Sequence, residues 1–275
     1  MWVNFSVFIF AAVNKQTTKP DLSSLISQKV SSFETNIMAM NDESNIYGFS
    51  SSADTHMIKN MEWGAISYLS HSRYGICSDG VCYKIYRNNN SNYLTGCGSS
   101  AGTSSSSSCN SYNTELGMLA STTGNIYGVY DMYGGAWDHV MSNMISSDGT
   151  TMLSGLSTTS NSGYTGVVYA SGTYVSYTGD YNYPEDKYYD KYSFGTSYKD
   201  NSDLKRLKLG DGTREVIDIS LSGVIQSSYP WFVRGSAYTI NGSIGNKIFE
   251  TGRVAGNAIT SGNLRSTRII IDVTN

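Results

Sequence analysis

The 275 residues carry 22 acidic and 19 basic side chains, a net charge of −3, so the chain has no basic footprint for nucleic acid. Charged residues make up only 15%, while Tyr has 22 copies and Gly 28 against 3 Pro. That balance excludes a charge-rich helical protein and suits surfaces that offer rings and small polar groups to a partner. The length fits one large domain or two small ones, enough for a sizeable core, and no apolar run reaches the ~20 residues of a membrane-spanning helix.

In chain order, Val3, Phe5, Val7 and Ile9 alternate and predict a first strand. The apolar run Trp2 to Val13 also has the length of a signal-peptide core, but it lacks a preceding positive segment, and Asn4 and Ser6 interrupt it. Thr17 to Ser32 is polar, with Pro20-Asp21 marking a turn or helix start, and Val30 to Met40 has the spacing of an amphipathic helix. Ser50 to Thr55 predicts a helix cap, followed by a helix over His56 to Ser70 in which Met57, Met61, Ala65 and Leu69 recur every fourth residue. Trp63 and Tyr68 are expected in the core, and Gly75 as the cap that ends the helix.

A polar, Ser/Asn/Gly-rich excursion at about 76–112 holds all four cysteines, Cys77, Cys82, Cys97 and Cys109. Their spacing is not that of a zinc site. Local disulfides Cys77–Cys82 and Cys97–Cys109 would staple an otherwise floppy insertion, with about 2–3 kcal/mol each. Such bridges imply an oxidising compartment, the alternative being four free thiols. Asn88 to Asn92 and Ser104 to Ser108 predict flexible tips.

The stretch Gly124 to Asp138 sets Ile126, Tyr127, Val129, Tyr130, Met132 and Trp137 between glycines, which predicts a tight, aromatic-filled turn at the centre of the domain. Tyr181 to Tyr192 has few aliphatics and predicts a Tyr-rich surface loop within about 160–200. Lys205 to Lys208, flanked by Asp203 and Asp211, is expected on a solvated surface, and Leu204 to Leu221 resumes apolar spacing. Of the histidines, His56 is expected at the surface or capping the helix, and His71 at the surface. His139 follows Asp138 directly, and neighbours on a strand or helix point apart. No G-x-S-x-G elbow occurs.

Gly128 to Met132 and Gly134 to Asp138 resemble the "GLYDM-GNVWEW" hallmark of the formylglycine-generating enzyme / sulfatase-modifying-factor family, a branch of the C-type-lectin-like folds. Trp2-Val3 is similar to that family's opening strand. Lys59 to Gly75 is similar to a helix of such domains in exported proteins of gut Firmicutes. Trp231, Arg234 and Gly235 match a "W-xx-RGG-xY" strand, with Ser236 in place of the second glycine. Arg268 stands where the closing strand carries an arginine, although the Gly-Phe before it is missing.

The resemblance covers roughly residues 2 to 273. It implies one α+β domain over 1–275 of C-type-lectin-like fold, irregular and loop-rich, with few helices and short antiparallel strands. The family's catalytic cysteine pair lies in the C-terminal part, where this chain has no cysteine, and no H-x3-H-x-E pattern for iron is present. The family's activity is therefore not expected, and no residue is assigned to catalysis. The one cofactor the resemblance implies is structural calcium at Asp131 and Asp138, with Gly135 replacing an asparagine and Asp138 a glutamate. Variable proteins of diversity-generating retroelements use this fold with a C-terminal ligand face, which here would comprise Tyr238, Asn241, Asn246, Arg253, Asn257, Asn263 and Arg265. The expected function is that of a non-catalytic, extracellular or surface-displayed module of adhesin or receptor-binding type, recognising a protein or glycan on a cell or phage surface. The alternatives are a metal-dependent oxidoreductase with its site moved to the cysteines, and a pilus-associated structural subunit.

Overall fold

A computed structural model describes residues 5–6, 8–10, 15–17, 19–42, 44–82, 84–146, 148–155, 162–170, 172–192, 229–239, 251–254 and 265–272. Its elements in chain order are β1 (Phe5–Ser6), β2 (Phe8–Phe10), β3 (Lys15–Thr17), α1 (Val30–Met38), β4 (Asp54–Met57), α2 (Asn60–Tyr68), β5 (Cys77–Ser78), β6 (Val81–Cys82) and α3 (Glu115–Met118). They continue with β7 (Trp137–Met144), β8 (Leu153–Gly155), β9 (Gly166–Ala170), β10 (Thr173–Tyr177), β11 (Asp190–Tyr192), β12 (Trp231–Arg234), β13 (Thr251–Val254) and β14 (Arg265–Asp272). The chain is thus α+β and loop-rich, with short helices. Among the described residues no helix is long and apolar enough to cross a membrane.

The main sheet runs β1-β14-β7-β12-β13, with β11 also beside β7 and β4 beside β14. It is mixed rather than antiparallel as expected: β11 and β14 run parallel to β7, and β8 runs parallel to β9. Parallel pairing requires a long crossover, and pairing partners that far apart in sequence leave no local signal. The central strands β7 and β14 are eight residues each and buried on both faces, so neither shows a simple polar–apolar alternation.

Two hydrophobic clusters flank this sheet. One collects Val30, Phe33 and Ile37 of α1 with Met57, Met141, Trp231, Val233, Ile269 and Ile271. The other collects Trp63 of α2 with Ile58, Met132, Tyr133, Val140, Met144, Phe232 and Ile270. Consecutive residues such as Val140 and Met141 serve opposite clusters because side chains on a strand alternate.

Helix α1 forms where its spacing predicts it. The second helix does not begin at His56: Asp54–Met57 pairs with β14, and Met57 and Ile58 belong to opposite clusters, a two-residue period that suits a strand. Helix α2 starts at Asn60, and its buried side comprises Asn60, Trp63, Gly64 and Ser67. The predicted stripe faces outward instead, with Ala65 exposed and Leu69 37% exposed. Small residues at 64 and 67 let the helix approach the sheet closely while Trp63 fills the space. Tyr68 packs only at the edge of the second cluster. Gly75 is not a left-handed cap. A side chain there would meet the Ser70 carbonyl oxygen at 2.3 Å, so the glycine serves close backbone approach.

The disulfides are Cys77–Cys82, closing the β5–β6 hairpin, and Cys97–Cys109. The segment around them is not floppy. Asn88, Asn89 and Asn90 are buried, and the Asn89 and Asn90 amides donate to the Ser104 and Ser107 carbonyls at 2.8 and 3.1 Å. Side-chain amides thus pair the backbone where no strand ladder does.

The tyrosine-rich stretch is exposed at Tyr181, Asn182, Glu185, Asp186, Lys187 and Lys191, but some of its rings pack inward. Tyr183 stacks on Tyr164 at 4.3 Å and lies 6.2 Å from Trp231. Tyr189 is buried in the first cluster, and β11 joins the main sheet. Of the hallmark stretch only the second half is central: Met132 and Tyr133 are buried, whereas Tyr127, at the tip of the preceding turn, is 94% exposed. The segment containing Lys205–Lys208 and Leu204–Leu221 lies outside the described residues.

Candidate functional site

The expected ligand face begins where several strands end together. In the register Arg234 lies opposite Asp138 and Thr251, and Arg265 opposite Trp137. The C-terminus of β12 therefore shares one end of the sheet with the N-termini of β7, β13 and β14. Tyr238 follows β12 and Arg265 opens β14, so both stand at this end. Arg253 sits in the edge strand β13, opposite Phe232. Asn241, Asn246, Asn257 and Asn263 lie outside the described residues.

Between β12 and Tyr238 the backbone turns through Gly235 and Ser236, at φ +82° and +70°. A side chain at Gly235 would meet the Met132 carbonyl oxygen at 3.0 Å and the Trp63 ring at 3.2 Å. This turn is pinned to the hallmark loop. The Gly134 N–H donates to the Gly235 carbonyl at 2.9 Å, and the Tyr238 N–H to the Gly135 carbonyl at 2.8 Å. The half-buried Tyr238 ring meets Tyr93 edge-on at 5.2 Å.

Beneath the turn lies a buried polar network. The Asp138 Oδ2 accepts from Arg268 Nε at 2.7 Å and from Trp63 Nε1 at 3.0 Å. Arg268 Nη1 donates to the Tyr130 carbonyl at 2.9 Å. Asp131, at φ +60°, accepts from the Asn88 amide at 2.8 Å and the Gly96 N–H at 3.0 Å. Arg234 lies over the Trp63 ring at 4.4 Å and donates to Asn60 Oδ1 at 2.7 Å. Burial pushes both carboxyls up from their ordinary range, while the Arg268 charge pulls them down. A cation on Asp131 and Asp138 would have to displace that guanidinium, so this pair as it stands fits the arginine and not a calcium ion. Among the described residues no group of three or more His, Cys, Asp or Glu is arranged to hold a metal.

Arg265 is largely buried, which lowers its pKa to about 10. Its charge and, more strongly, burial hold His139 well below its ordinary value. His139 is fully buried, with no hydrogen-bond partner at either ring nitrogen among the described residues. As expected for strand neighbours, it points away from Asp138, toward Phe33. His71 is half-buried beside Ser70, whose hydroxyl lies 2.8 Å from Nδ1.

His56 is not the surface residue expected. It is buried in β4, with Nδ1 2.9 Å from Asp54 and Nε2 3.3 Å from Glu62. Burial opposes its charge, but hydrogen bonds and charges from Glu62 and Asp54 prevail and raise its pKa. Glu62 also accepts from the Lys59 N–H at 2.9 Å, capping α2, while Asp190 accepts from Met61 N–H at 2.9 Å. His56 therefore ties β4 to α2, and Asp190, the first residue of β11, ties β11 to the start of α2. Asp54 and His56 two apart on a strand would have signalled it, had this stretch not carried a helical spacing as well. No protein-family model matches the chain, and a search of curated proteins finds no match either.

Proposed function

We propose that the protein is a non-catalytic ligand-binding module on a C-type-lectin-like, formylglycine-generating-enzyme-like scaffold, exported or displayed at a surface. It recognises a protein or glycan through the end of its main sheet at which β12 stops and β7, β13 and β14 begin. One observation supports this reading: the charged groups at that end, Asp131, Asp138, Arg234 and Arg268, are buried and bonded to groups of the scaffold, while Tyr238 is half-buried beyond the turn. A rigid base under side chains that are free to vary is what a recognition surface requires. Pairing of all four cysteines suits an oxidising compartment. It also means that a metal site on Cys97 and Cys109 would first require their bridge to be opened.

The test is a screen of the purified chain against glycan and cell-surface-protein arrays, repeated with Tyr238→Ala and Arg253→Ala. Binding that falls at least tenfold in both variants, with circular dichroism unchanged, supports the reading. Hits that neither substitution weakens would place recognition elsewhere.

A further inference from the structure

The β9–β10 hairpin stands apart from the main sheet in a three-stranded sheet of order β10-β9-β8, which makes β10 an edge among the described residues. Edge strands usually carry a charge, a proline or a bulge that prevents pairing with another chain. From Gly166 to Gly179 this hairpin has no Lys, Arg, Asp, Glu or Pro, and β9 pairs with β10 in unbroken register. Strand β10 reads Thr-Tyr-Val-Ser-Tyr, rich in β-branched and aromatic residues. Residues 173 to 176 are all exposed, with Val175 at 55% and Tyr174 at 39%.

The register fixes which backbone groups face outward. A two-residue connection joins Ala170 to Thr173, which are paired, and Gly172 takes φ +83° there. Such a hairpin closes on a hydrogen-bonded pair, so Thr173, Val175 and Tyr177 bond inward to β9. Tyr174 and Ser176 therefore turn their N–H and C=O groups away from β9.

We infer that β10 is a self-association edge at which a second copy of this chain adds its own β10 antiparallel, about a twofold axis through Val175. In that register Tyr174 of one copy faces Ser176 of the other, and the two outward pairs exchange four backbone hydrogen bonds. The Val175 residues meet as a non-hydrogen-bonded pair with Cα atoms about 4.5 Å apart, the closer of the two antiparallel geometries and one suited to a β-branched pair. The strand is thus self-complementary, and because it bears no charge it does not repel its own copy. The paired hairpins form one continuous six-stranded sheet, β8-β9-β10 joined to its symmetry mate. An interface built on five residues falls below the ~1,200 Å² of a stable complex, so association is reversible and needs protein at about 0.1–1 mM.

Sedimentation equilibrium of the full chain up to ~1 mM should give a monomer–dimer equilibrium. Val175→Lys, which sets two like charges on the axis, should weaken the dimer at least tenfold while leaving the melting temperature unchanged. Val175→Thr should leave the dimer intact. Mild oxidation adds a geometric test. Val175→Cys should cross-link to itself, whereas Thr173→Cys should not, because its copies lie about 13 Å apart in this register, beyond disulfide reach. A chain that stays monomeric at ~1 mM, a dimer that survives Val175→Lys, or equal cross-linking by the two cysteine variants would each overturn the assignment.

Discussion

Glu34 is a carboxyl with almost no access to water. One oxygen accepts the Met57 N–H at 3.0 Å and the other has no partner among the described residues. Burial outweighs that bond and raises its pKa from 4.5 to about 8. Between those values the folded chain holds a proton that the unfolded chain has lost, so the contribution of Glu34 to stability is full below pH 4.5 and is lost as pH rises through about 8. His139 acts on the other side. Its folded pKa lies well below 6.5, so on acidification below pH 6.5 the unfolded state takes up a proton that the folded state refuses, and stability falls. Glu34→Gln keeps an acceptor for Met57 and removes the first slope. It should gain a few kcal/mol relative to the natural chain between pH 5 and 8.5, measured by urea unfolding at both pH values. A difference between the two proteins that does not change with pH would show that Glu34 is ionised in the fold. Ser236 stores backbone strain, since its φ of +70° favours glycine, and its buried hydroxyl lacks a partner among the described residues. Ser236→Gly should therefore stabilise by about 1 kcal/mol, whereas Ser236→Ala, which keeps the strain, should gain less. A lower urea midpoint for the glycine variant would exclude this account.

At the scale of elements, legibility followed how locally each one is determined. Helix α1 was readable because Val30, Phe33 and Ile37 share one face and one cluster. The cysteine pairing was readable because each bridge closes a short loop. The start of α2 was not, because the helical spacing Met57, Met61, Ala65, Leu69 is accidental, and β4 is decided by β14, more than 200 residues later. Strand β11 was hidden for the same reason, and also because Tyr183, Tyr189 and Tyr192 occupy places where aliphatics are expected. The cysteine-bearing segment is ordered with little apolar content beyond Ile85 and Cys97, since isolated backbone bridges and Asn amides supply what a ladder would. Its two bridges should differ in weight. Cys97 adjoins Gly96, whose N–H holds Asp131, and its bridge spans 12 residues against 5 for Cys77–Cys82. Replacing Cys97 and Cys109 with Ser should cost about 3 kcal/mol, and replacing Cys77 and Cys82 about 2. Only the former should speed amide exchange at Gly96. Equal exchange in both double variants would separate the bridge from the hallmark loop.

For the whole molecule, the sheet divides two cores, and the end at which β12 stops carries a turn pinned to the hallmark loop. The sequence pointed to Asp138 and Arg268 individually, but a role for either depends on their meeting across 130 residues, which spacing alone does not reveal. The same distance separates scaffold from surface, and substitutions can measure that division. Trp231 is fully buried and lies against Tyr164 and Tyr183, so Trp231→Ala should cost about 3–5 kcal/mol and lower the melting temperature steeply. Trp137, only half-buried, should lose less on the same change. Tyr238 is half-buried and, among the described residues, its ring meets that of Tyr93 alone, so Tyr238→Ala should cost no more than about 1 kcal/mol. Calorimetric melting of the three variants ranks them directly. If Tyr238→Ala melts with Trp231→Ala, the turn is part of the core and recognition cannot be assigned to it. If the order holds, the end of the sheet can change its side chains without loss of the fold, as a surface selected for binding must.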